Sequence, residues 1–368
     1  MSETLLVIVN YRSAALTAAS IASARASTAT PLRVVVVDNS CDPAEARALE
    51  ESGADRLIVA EENLGYGRAI NEAVLGSDAP IFVAANPDVE WESGAIDRLL
   101  ERVRSGAALA GPRISWDREG EWILPPAETL TRQLRMGELL ASRSHRRARS
   151  RDEARVRERI RFWSLKRTME TGEVSGAVMA IDRAAFERTG GFDPRFRLYF
   201  EEIDLMRRLR NGGKRIVYVA EARCRHLYNQ SAPERGDAAE LFAESERRFL
   251  LKWTGGWFTK LSSRYGREIP PPFERPFEDH AADSPFEVGE EPAARVIEIS
   301  PLRNFNSAAG HFPASGSVRV PGEILQSWRG GDLHVRVVDR RSGKTLRAWK
   351  CPPLSSAGGT PTRAGWSR

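Results

Sequence analysis

Short apolar runs alternate with helix-like stretches over the first third of the chain. Four runs rich in Val, Ile, Leu and Ala have the pattern of strands, at residues 4–9, 32–37, 56–59 and 80–84. The Ala-rich or amphipathic segments that follow them are typical of helices. Continuous apolar strands that alternate with helices indicate a parallel sheet covered on both faces. The sequence therefore predicts an α/β fold with a mainly parallel sheet and helices on both faces.

The rest of the chain changes character several times, and the changes suggest domain boundaries. Residues 128–168 form a basic helical insertion, and residues 266–292 are rich in proline and acids, which predicts a linker. Beyond the linker, apolar residues recur with a period of two, as in a small antiparallel unit. The predicted organisation is an α/β domain, a Pro-rich linker, a small β-rich unit and a flexible tail, at residues 1–265, 266–292, 293–353 and 354–368.

Several classes of protein are excluded by simple features of the sequence. The apolar runs are far shorter than the ~18 residues of a membrane-spanning helix, so no such helix is predicted. The first residues lack the basic region of a signal peptide. Three scattered cysteines, Cys41, Cys224 and Cys351, give neither a disulfide framework nor a CxxC metal pattern. We therefore expect a cytoplasmic protein.

The charge balance is mild, with one local exception. The net charge is +5, from 55 basic and 50 acidic residues in a chain of 368. Arginine is spread along the chain, so no nucleic-acid partner is predicted. Residues 128–168 hold thirteen Arg or Lys among apolar side chains and predict one or two helices with a basic face. Two interpretations remain open: peripheral contact with an anionic membrane, at its inner face, or a solvated helix.

Polar side chains follow three of the four predicted strands. The clusters are Asn10-Tyr11, Asp38-Asn39-Ser40 and Asn86-Pro87-Asp88. In open sheets of this kind, ligands bind beyond the carboxyl ends of the strands. Polar strand ends can also be ordinary loops, but three together favour a binding site.

These clusters belong to a longer series of motifs. In order along the chain they are Val9-Asn10-Tyr11, Val37-Asp38-Asn39-Ser40, Asn63-Leu64-Gly65-Tyr66-Gly67-Arg68-Ala69-Ile70-Asn71, Asn86-Pro87-Asp88, Ser175-Gly176-Ala177, Gly190-Gly191-Phe192-Asp193, Tyr199-Phe200-Glu201-Glu202-Ile203-Asp204-Leu205 and His226. With this order, the chain resembles the family-2 inverting glycosyltransferases of the GT-A fold over about residues 4–255. It looks most like the bacterial rhamnosyltransferase-type members. The resemblance implies a Rossmann-like nucleotide-diphospho-sugar transferase sheet.

The resemblance also implies an activity and a set of donor contacts. The activity is transfer of a sugar, with rhamnose as the candidate, from a dTDP- or UDP-sugar to a hydroxyl of a polysaccharide or lipid-linked acceptor of the cell envelope. Asp38 would accept a hydrogen bond from the pyrimidine N–H, and Arg68 would reach the phosphates. The implied nucleotide-binding residues are Asn10, Tyr11, Asp38, Asn39, Asn63, Gly65, Arg68, Asn71 and Asn86.

A divalent metal is the cofactor that the resemblance implies. Asn86-Pro87-Asp88 stands where the family carries an Asp-x-Asp motif, with Asn in place of the first Asp. One carboxylate with substrate phosphates is a normal arrangement for Mg²⁺ or Mn²⁺, so Asp88 is the expected ligand. Related enzymes place a metal-binding His where His226 lies, and imidazole suits Mn²⁺ better than Mg²⁺.

Two alternatives to a metal-assisted transferase follow from single features. Asn86 would also fit a non-catalytic nucleotide-sugar-binding module with a degenerate metal motif. A dinucleotide-binding oxidoreductase is excluded, because the first strand runs into Asn10-Tyr11-Arg12 without the glycine fingerprint.

The adjacent acids Glu201 and Glu202 match the acidic pair of the family. They open a predicted helix, where the helix dipole stabilises carboxylates. Two neighbouring acids also raise each other's pKa, which suits a general base. We expect Glu202 to take the proton of the acceptor hydroxyl, and the choice between Glu201 and Glu202 stays open.

Overall fold

The computed structural model describes residues 3–125, 130–227, 237–265, 276–328 and 330–353. These residues form two compact units. The first unit falls within Met1–Ile114 and Lys166–Phe249. The second falls within Ser115–Pro125, Leu130–Leu165 and Leu250–Arg368. In the part of the chain that is described, no helix combines the length and the apolar character needed to cross a membrane.

Strands and helices alternate along the chain. Up to residue 115 they are β1 Thr4–Asn10, α1 Ala14–Ser27, β2 Leu32–Asp38, α2 Pro43–Glu50, β3 Arg56–Val59, α3 Tyr66–Leu75, β4 Ile81–Ala85, β5 Val89–Trp91, α4 Ala95–Arg104 and β6 Leu109–Ser115. Next come α5 Arg132–Ala141, α6 His145–Trp163, β7 Met169–Thr171, β8 Val178–Asp182, α7 Arg183–Arg188, α8 Glu201–Asn211, β9 Ile216–His226, α9 Asp237–Thr254 and α10 Gly256–Tyr265. The last are β10 Glu278–Asp279, β11 Phe286–Glu287, β12 Arg295–Ser300, β13 Ala309–His311, β14 Ser317–Val318, α11 Gly322–Ser327, β15 Leu333–Asp339 and β16 Thr345–Cys351.

The large sheet has the order β3-β2-β1-β4-β8-β6-β9-β5, with β7 added beside β9. β1 pairs in parallel with β2 and β4, and β2 pairs in parallel with β3. β8 then runs antiparallel to β4 and to β6, and β5 runs antiparallel to β9. The predicted α/β class, with a large sheet and a separate small β unit, is confirmed. The register sets Asn10 beside Asp38, so two of the predicted polar strand ends are neighbours.

The core of the first unit explains why these runs become strands. β1, β2 and β4 are buried along almost their whole length, which fits their unbroken apolar composition. Leu6, Val34 and Val83 are among the core side chains with no exposed surface. Removing apolar surface from water contributes ~25 cal/mol per Å², so such strands are stable only inside a layered fold.

The second unit joins the basic insertion to the C-terminal strands. Its sheet has the order β10-β16-β15-β12-β13. Helix α6 packs on it through an apolar cluster made of Ile123, Val156, Ile160, Trp163, Val296 and Val338. A Cβ on Gly310 would lie 2.3 Å from the ring of Trp163, so this packing requires a glycine at that position. The basic segment thus forms two helices, and α6 uses its apolar side as a core element.

A buried charge network lies within the same packing. The guanidinium of Arg336 donates to Asp152 at 2.7 and 3.0 Å and to Glu298 at 2.6 Å. Arg159 lies 2.8 Å from the other oxygen of Glu298 and donates to the carbonyl of Phe305. Arg336 and Glu298 have no exposed surface. Part of the basic character of the insertion is therefore structural.

Some sequence-based boundaries differ from the structure. The sequence pattern over residues 215–226 predicts two short strands, Arg215–Val219 and Arg223–His226, and the structure has one strand, Ile216–His226. The apparent break arises because Glu221 and Arg223 are outward-facing positions, exposed between buried neighbours. The apolar pattern over residues 173–181 predicts a strand of that length, and the strand in the structure begins only at Val178. Residues 276–292 of the expected linker contain β10 and β11, while 266–275 and the expected tail lie outside the described residues.

Candidate active site

Asp38 is held rigidly at the end of β2. Its Oδ1 accepts hydrogen bonds from Asn10 Nδ2 at 3.1 Å and from the backbone N–H of Ser40 at 2.9 Å. The Ser40 hydroxyl donates to its Oδ2 at 2.9 Å. A carboxylate has about four acceptor positions, so these three donors leave room for one more. A fixed carboxylate with spare acceptor capacity is what recognition of a base N–H needs.

Asn10 has an internal set of partners. Its Oδ1 accepts from the hydroxyls of Ser13 and Thr17 at 2.9 and 3.0 Å, and its Nδ2 also donates to Glu45 at 2.9 Å. The side chain has no exposed surface. The structure therefore makes Asn10 a support of Asp38. Tyr11 beside it is half-buried, and the guanidinium of Arg12 lies 5.6 Å from its ring centroid.

The loop before α3 is fixed by two asparagines. Asn39 Nδ2 donates to the carbonyl of Gly65 at 3.1 Å, and Asn63 Oδ1 accepts from the N–H of Gly65 at 2.9 Å. Gly65 has φ +76, and a Cβ on it would lie 2.0 Å from the carbonyl oxygen of Arg197. Any other residue would clash there, so the loop depends on glycine.

Two of the predicted donor residues point to other partners in this structure. The guanidinium of Arg68 pairs with Glu62 at 3.2 Å on the exposed surface. The amide of Asn71 makes two bonds of 2.9 Å to the backbone of Phe192, one as donor and one as acceptor. Asn71 thus fastens α3 to the turn before α8. The assignment of these residues to the donor remains a prediction.

The three residues of the predicted metal site lie together. His226 Nε2 is 3.1 Å from Asp88 Oδ1 and 3.4 Å from Asn86 Nδ2. The register of β5 with β9 places Val89 opposite His226 and so brings Asp88 to the imidazole. Asp88 is 2% exposed.

The donor types at this point fit a hard or borderline divalent ion. A carboxylate oxygen and an imidazole nitrogen point to one place, and such an ion completes its shell with substrate phosphates and water. Among the described residues, no group of three or more His, Cys, Asp or Glu is arranged to hold a metal.

The acidic pair lies at the start of α8 in a buried setting. Glu201 is 4% exposed, and Glu202 is partly exposed. The Oε2 atoms of both are buried and receive no hydrogen bond from the described residues. Burial, followed by the charge of Glu202, raises the pKa of Glu201 well above its usual range. Burial also raises the pKa of Glu202. A carboxylate with a raised pKa is a better proton acceptor near neutral pH.

The backbone in front of the pair is strained. Tyr199 and Phe200 both have φ +66, in the left-handed region that non-glycine residues seldom occupy. Phe200 is the residue before the first turn of α8, and its ring packs against Phe249 with centroids 5.4 Å apart. Such strain costs on the order of 1–3 kcal/mol and concentrates at functional sites. It aims the first turn of α8, and with it the two carboxylates.

Tyr66 and Gly176 complete the site and are residues to which sequence reasoning gave no role. The Tyr66 hydroxyl donates to the carbonyl of Gly176 at 3.1 Å. A Cβ on Gly176 would lie 2.8 Å from Cγ of Glu202. Burial, with the charges of Glu201 and Glu202, raises the pKa of Tyr66. Both residues lie inside sequence motifs, but the sequence does not reveal which side chain needs the space.

The segment 175–177 contacts residues of two groups, the one that contains the predicted metal ligands and the acidic pair. Gly176 packs against Glu202, and the carbonyl of Ala177 accepts from the N–H of Asn86 at 2.9 Å. The structure therefore brings the Asn86–Asp88–His226 group and the Glu201–Glu202 pair to the two sides of one short loop.

Comparison with known proteins gives a family. The family described as glycosyltransferase like family 2 matches residues 2–249, and Phe249 is also where the first unit ends. Two curated relatives are the N-acetylglucosaminyl-diphospho-decaprenol L-rhamnosyltransferases of Mycobacterium tuberculosis strains CDC 1551 / Oshkosh and ATCC 25618 / H37Rv. Each is 30% identical over 262 residues, which is 65% of this chain and 80% of the relative.

A solved structure gives a more distant likeness. It is the mannosyltransferase PcManGT from Pyrobaculum calidifontis in complex with GDP-Man and Mn²⁺. The sequence identity is 17% and the TM-score 0.42, over 74% of this chain and 66% of that chain. At this distance the likeness assigns no residue or ligand to the present chain.

Proposed function

The chain belongs to glycosyltransferase-like family 2 and is a glycosyltransferase, and from this premise we propose an inverting transfer of rhamnose to a lipid-linked sugar. The observation that carries the proposal is the loop 175–177, with Glu202 on one side and Asn86, Asp88 and His226 on the other. Rhamnose and the diphospho-polyprenol acceptor are supported by the names of the relatives at 30% identity. Family membership also removes the reading as a non-catalytic module.

The donor is proposed to be a dTDP- or UDP-sugar. The pyrimidine N–H would be accepted by Asp38, whose carboxylate keeps one acceptor position. The loop held by Asn39 and Asn63 would run along the nucleotide, where Gly65 lets the backbone approach closely. Arg68 would exchange its exposed partner Glu62 for a phosphate, because a surface ion pair of this kind contributes ~0–1 kcal/mol.

The diphosphate is proposed to bind beside Asp88 and His226. These residues would hold a divalent ion, which when bound supplies positive charge to stabilise the departing diphosphate. Mn²⁺ is favoured over Mg²⁺ by the imidazole ligand. Asn86 Nδ2 lies 3.4 Å from the same imidazole nitrogen and would give up this contact when an ion binds there.

Glu202 is proposed as the general base. The acceptor oxygen attacks C1 of the sugar from the side opposite the leaving group, and the bond between C1 and the diphosphate oxygen breaks. The hydroxyl proton passes to the Glu202 carboxylate. Glu202 is preferred over Glu201 because it is partly exposed, and an acceptor must approach from solvent. Burial keeps Glu202 basic, and the more enclosed Glu201 is less accessible to an acceptor.

The proposal is tested with donors and a short-chain acceptor. Thermal shifts with dTDP-rhamnose, UDP-sugars and GDP-sugars, each with and without Mn²⁺, should show stabilisation by a pyrimidine nucleotide sugar, because a ligand of the native state raises its stability. Product formation on a polyprenyl-diphosphate N-acetylglucosamine then tests transfer. Binding of GDP-sugars alone, or transfer of a different sugar, would overturn the proposed donor.

A further inference from the structure

Two neighbouring helices of the second unit, α5 and α10, expose large apolar side chains. Trp257, at the start of α10, is 67% exposed, which is unusual for the largest side chain. The other exposed apolar residues on or beside these helices are Leu134, Met136, Leu140 and Leu251. Leu134 lies on the other side of α5 from Met136 and Leu140, so we name the remaining four residues, Trp257, Met136, Leu140 and Leu251, the α5–α10 face.

Contacts between the helices make this face continuous. Arg135 Nε on α5 donates to the hydroxyl of Ser262 on α10 at 2.7 Å. Arg132 Nε donates to the carbonyl of Thr254 at 3.1 Å, and its guanidinium lies 5.9 Å from the ring centroid of Phe258. Phe258 is the neighbour of Trp257, with ring centroids 5.8 Å apart.

The exposed row on α5 extends from the same arginine. Arg132, Met136 and Leu140 follow one another at intervals of four and so lie on one side of the helix. The row therefore runs from Leu140 through Met136 to Arg132, which reaches the start of α10 beside Trp257.

Helices α5 and α10 carry mainly basic charge. The sequence of α10 has no Asp or Glu, and the acid of α5, Glu138, pairs with Arg135 at 2.9 Å and Arg151 at 2.7 Å. Five cationic residues on or beside the helices of the face are exposed: Arg132, Arg143, Lys252, Lys260 and Arg264. A second copy of the chain would bring these cations against each other, whereas an anionic surface would complement them.

We propose that the α5–α10 face docks on the surface of an anionic lipid bilayer, with Trp257 at the level of the headgroups. Trp is favoured at this depth because its ring is apolar and its N–H is polar. Exposed apolar residues ringed by Lys and Arg are typical of surfaces that lie in a membrane interface. The docking rests on the proposed function in one respect: that function supplies the reason for docking, which is access to a lipid-linked acceptor.

The site proposed here differs from a general attraction of the basic insertion. Helix α6 holds most of the arginines of the basic insertion. Its apolar side and two of its charged side chains, Asp152 and Arg159, pack within the unit. The proposal therefore assigns binding to α5 and α10, and predicts that exposed cations of α6 contribute little.

Co-sedimentation of the full chain with vesicles tests the docking directly. Binding to phosphatidylcholine vesicles with added phosphatidylglycerol should exceed binding to pure phosphatidylcholine by about tenfold, and should fall with salt. Trp257→Ser and Lys252→Gln/Lys260→Gln should each weaken it several-fold. Leu75→Ser removes an equally exposed apolar side chain from the first unit, and Arg161→Gln/Lys166→Gln removes cations from the insertion. These two controls should bind like the unchanged chain.

The opposite results would overturn the proposal. They are equal binding to both vesicle types, loss of binding in the control variants, or a Trp257-dependent dimer in gel filtration without vesicle binding. Activity separates this proposal from the proposed function. Trp257→Ser should keep turnover on a short soluble acceptor and lose it on an acceptor embedded in vesicles. A chain that binds anionic vesicles but transfers nothing to either acceptor would contradict only the proposed function.

Discussion

The side chain of Glu202 occupies the space that a side chain at position 176 would need: a Cβ on Gly176 would lie 2.8 Å from Cγ of Glu202. The neighbouring phenol of Tyr66 fixes the Gly176 carbonyl at 3.1 Å, so the loop has little freedom to retreat. The position of the carboxylate is thus set by a backbone segment distant in sequence, and this relationship can be tested.

Gly176→Ala should move Glu202 and lower kcat by about 10- to 100-fold, because misplacing a catalytic group by about 1 Å has effects of this size. Donor affinity should change little, since the alanine would contact the base. Gly322→Ala is the matched control, because nothing lies within 4 Å of the added Cβ. Steady-state rates and donor titrations would decide, and an active Gly176→Ala enzyme would show that Glu202 does not depend on this contact.

Glu202→Gln should lower kcat by about 10²–10⁴-fold with donor affinity nearly unchanged, because a positioned base contributes that much and touches the acceptor. Glu201→Gln should cost less, because Glu201 is buried and an acceptor hydroxyl reaches it less readily. The measurement is kcat on both variants alongside donor binding. A dead Glu201→Gln beside an active Glu202→Gln would transfer the role of base to Glu201.

The raised pKa of Glu202 sets the direction of the pH dependence. The base works when it is deprotonated, so kcat/KM should fall as pH decreases through a value above the ordinary ~4.3 of Glu. Glu202→Gln should abolish this acidic limb. A limb at the ordinary value for Glu would argue against a desolvated base.

The raised pKa of Glu201 also predicts that replacing this residue by Gln increases the stability of the chain. A carboxyl whose folded-state pKa is raised binds more protons when folded, so stability is lost as pH rises from the unfolded toward the folded pKa. Glu201→Gln removes this cost and should therefore stabilise the chain at pH 7, as a higher melting temperature. Thermal melts at pH 4.5 and pH 7.5 would measure it. A gain at the lower pH alone would contradict the burial argument.

Chelation should abolish transfer, and Mn²⁺ should restore it, if Asp88 and His226 share an ion with the donor diphosphate. Asp88→Ala should weaken binding of a nucleotide sugar about tenfold or more when metal is present, and should leave binding of the nucleoside unchanged. Isothermal titration with both ligands makes the comparison. Full activity in chelator would remove the metal from the mechanism.

Glu298→Gln should destabilise the second unit by about 3–5 kcal/mol, because the buried guanidinium groups of Arg159 and Arg336 would lose the carboxylate charge that both pair with. Glu278→Gln is the control, since its pair with Arg347 is exposed and contributes ~0–1 kcal/mol. Urea unfolding followed by tryptophan fluorescence suits this test, because Trp163 is buried on α6. Equal effects of the two substitutions would contradict the role of the network.

The sequence was sufficient for local structure and for the ends of strands. The limits of β3 and α7, and the pairing of Asn10 with Asp38, follow from apolar runs and parallel topology. The sequence was insufficient where the role of a residue depends on a partner far away along the chain. Periodicity cannot show that Val156 packs on Val338, nor that Gly176 makes room for Glu202. It also mistook outward-facing charges in β9 for a break between strands.

The packing of α6 on β12 and β15 has a consequence for synthesis. Asp152 and Arg336 are 184 residues apart, so at about 5–20 residues per second the helix waits roughly 10–40 s for its partner. During that interval the apolar side of α6, with Val156 and Trp163, lacks the part of its covering that β15 supplies, including Val338. A nascent chain halted before β15 would therefore expose apolar surface of α6 to chaperones and proteases. Premature stops near residue 330 should be cleared from the cell even though residues 2–249 of the family match are already made.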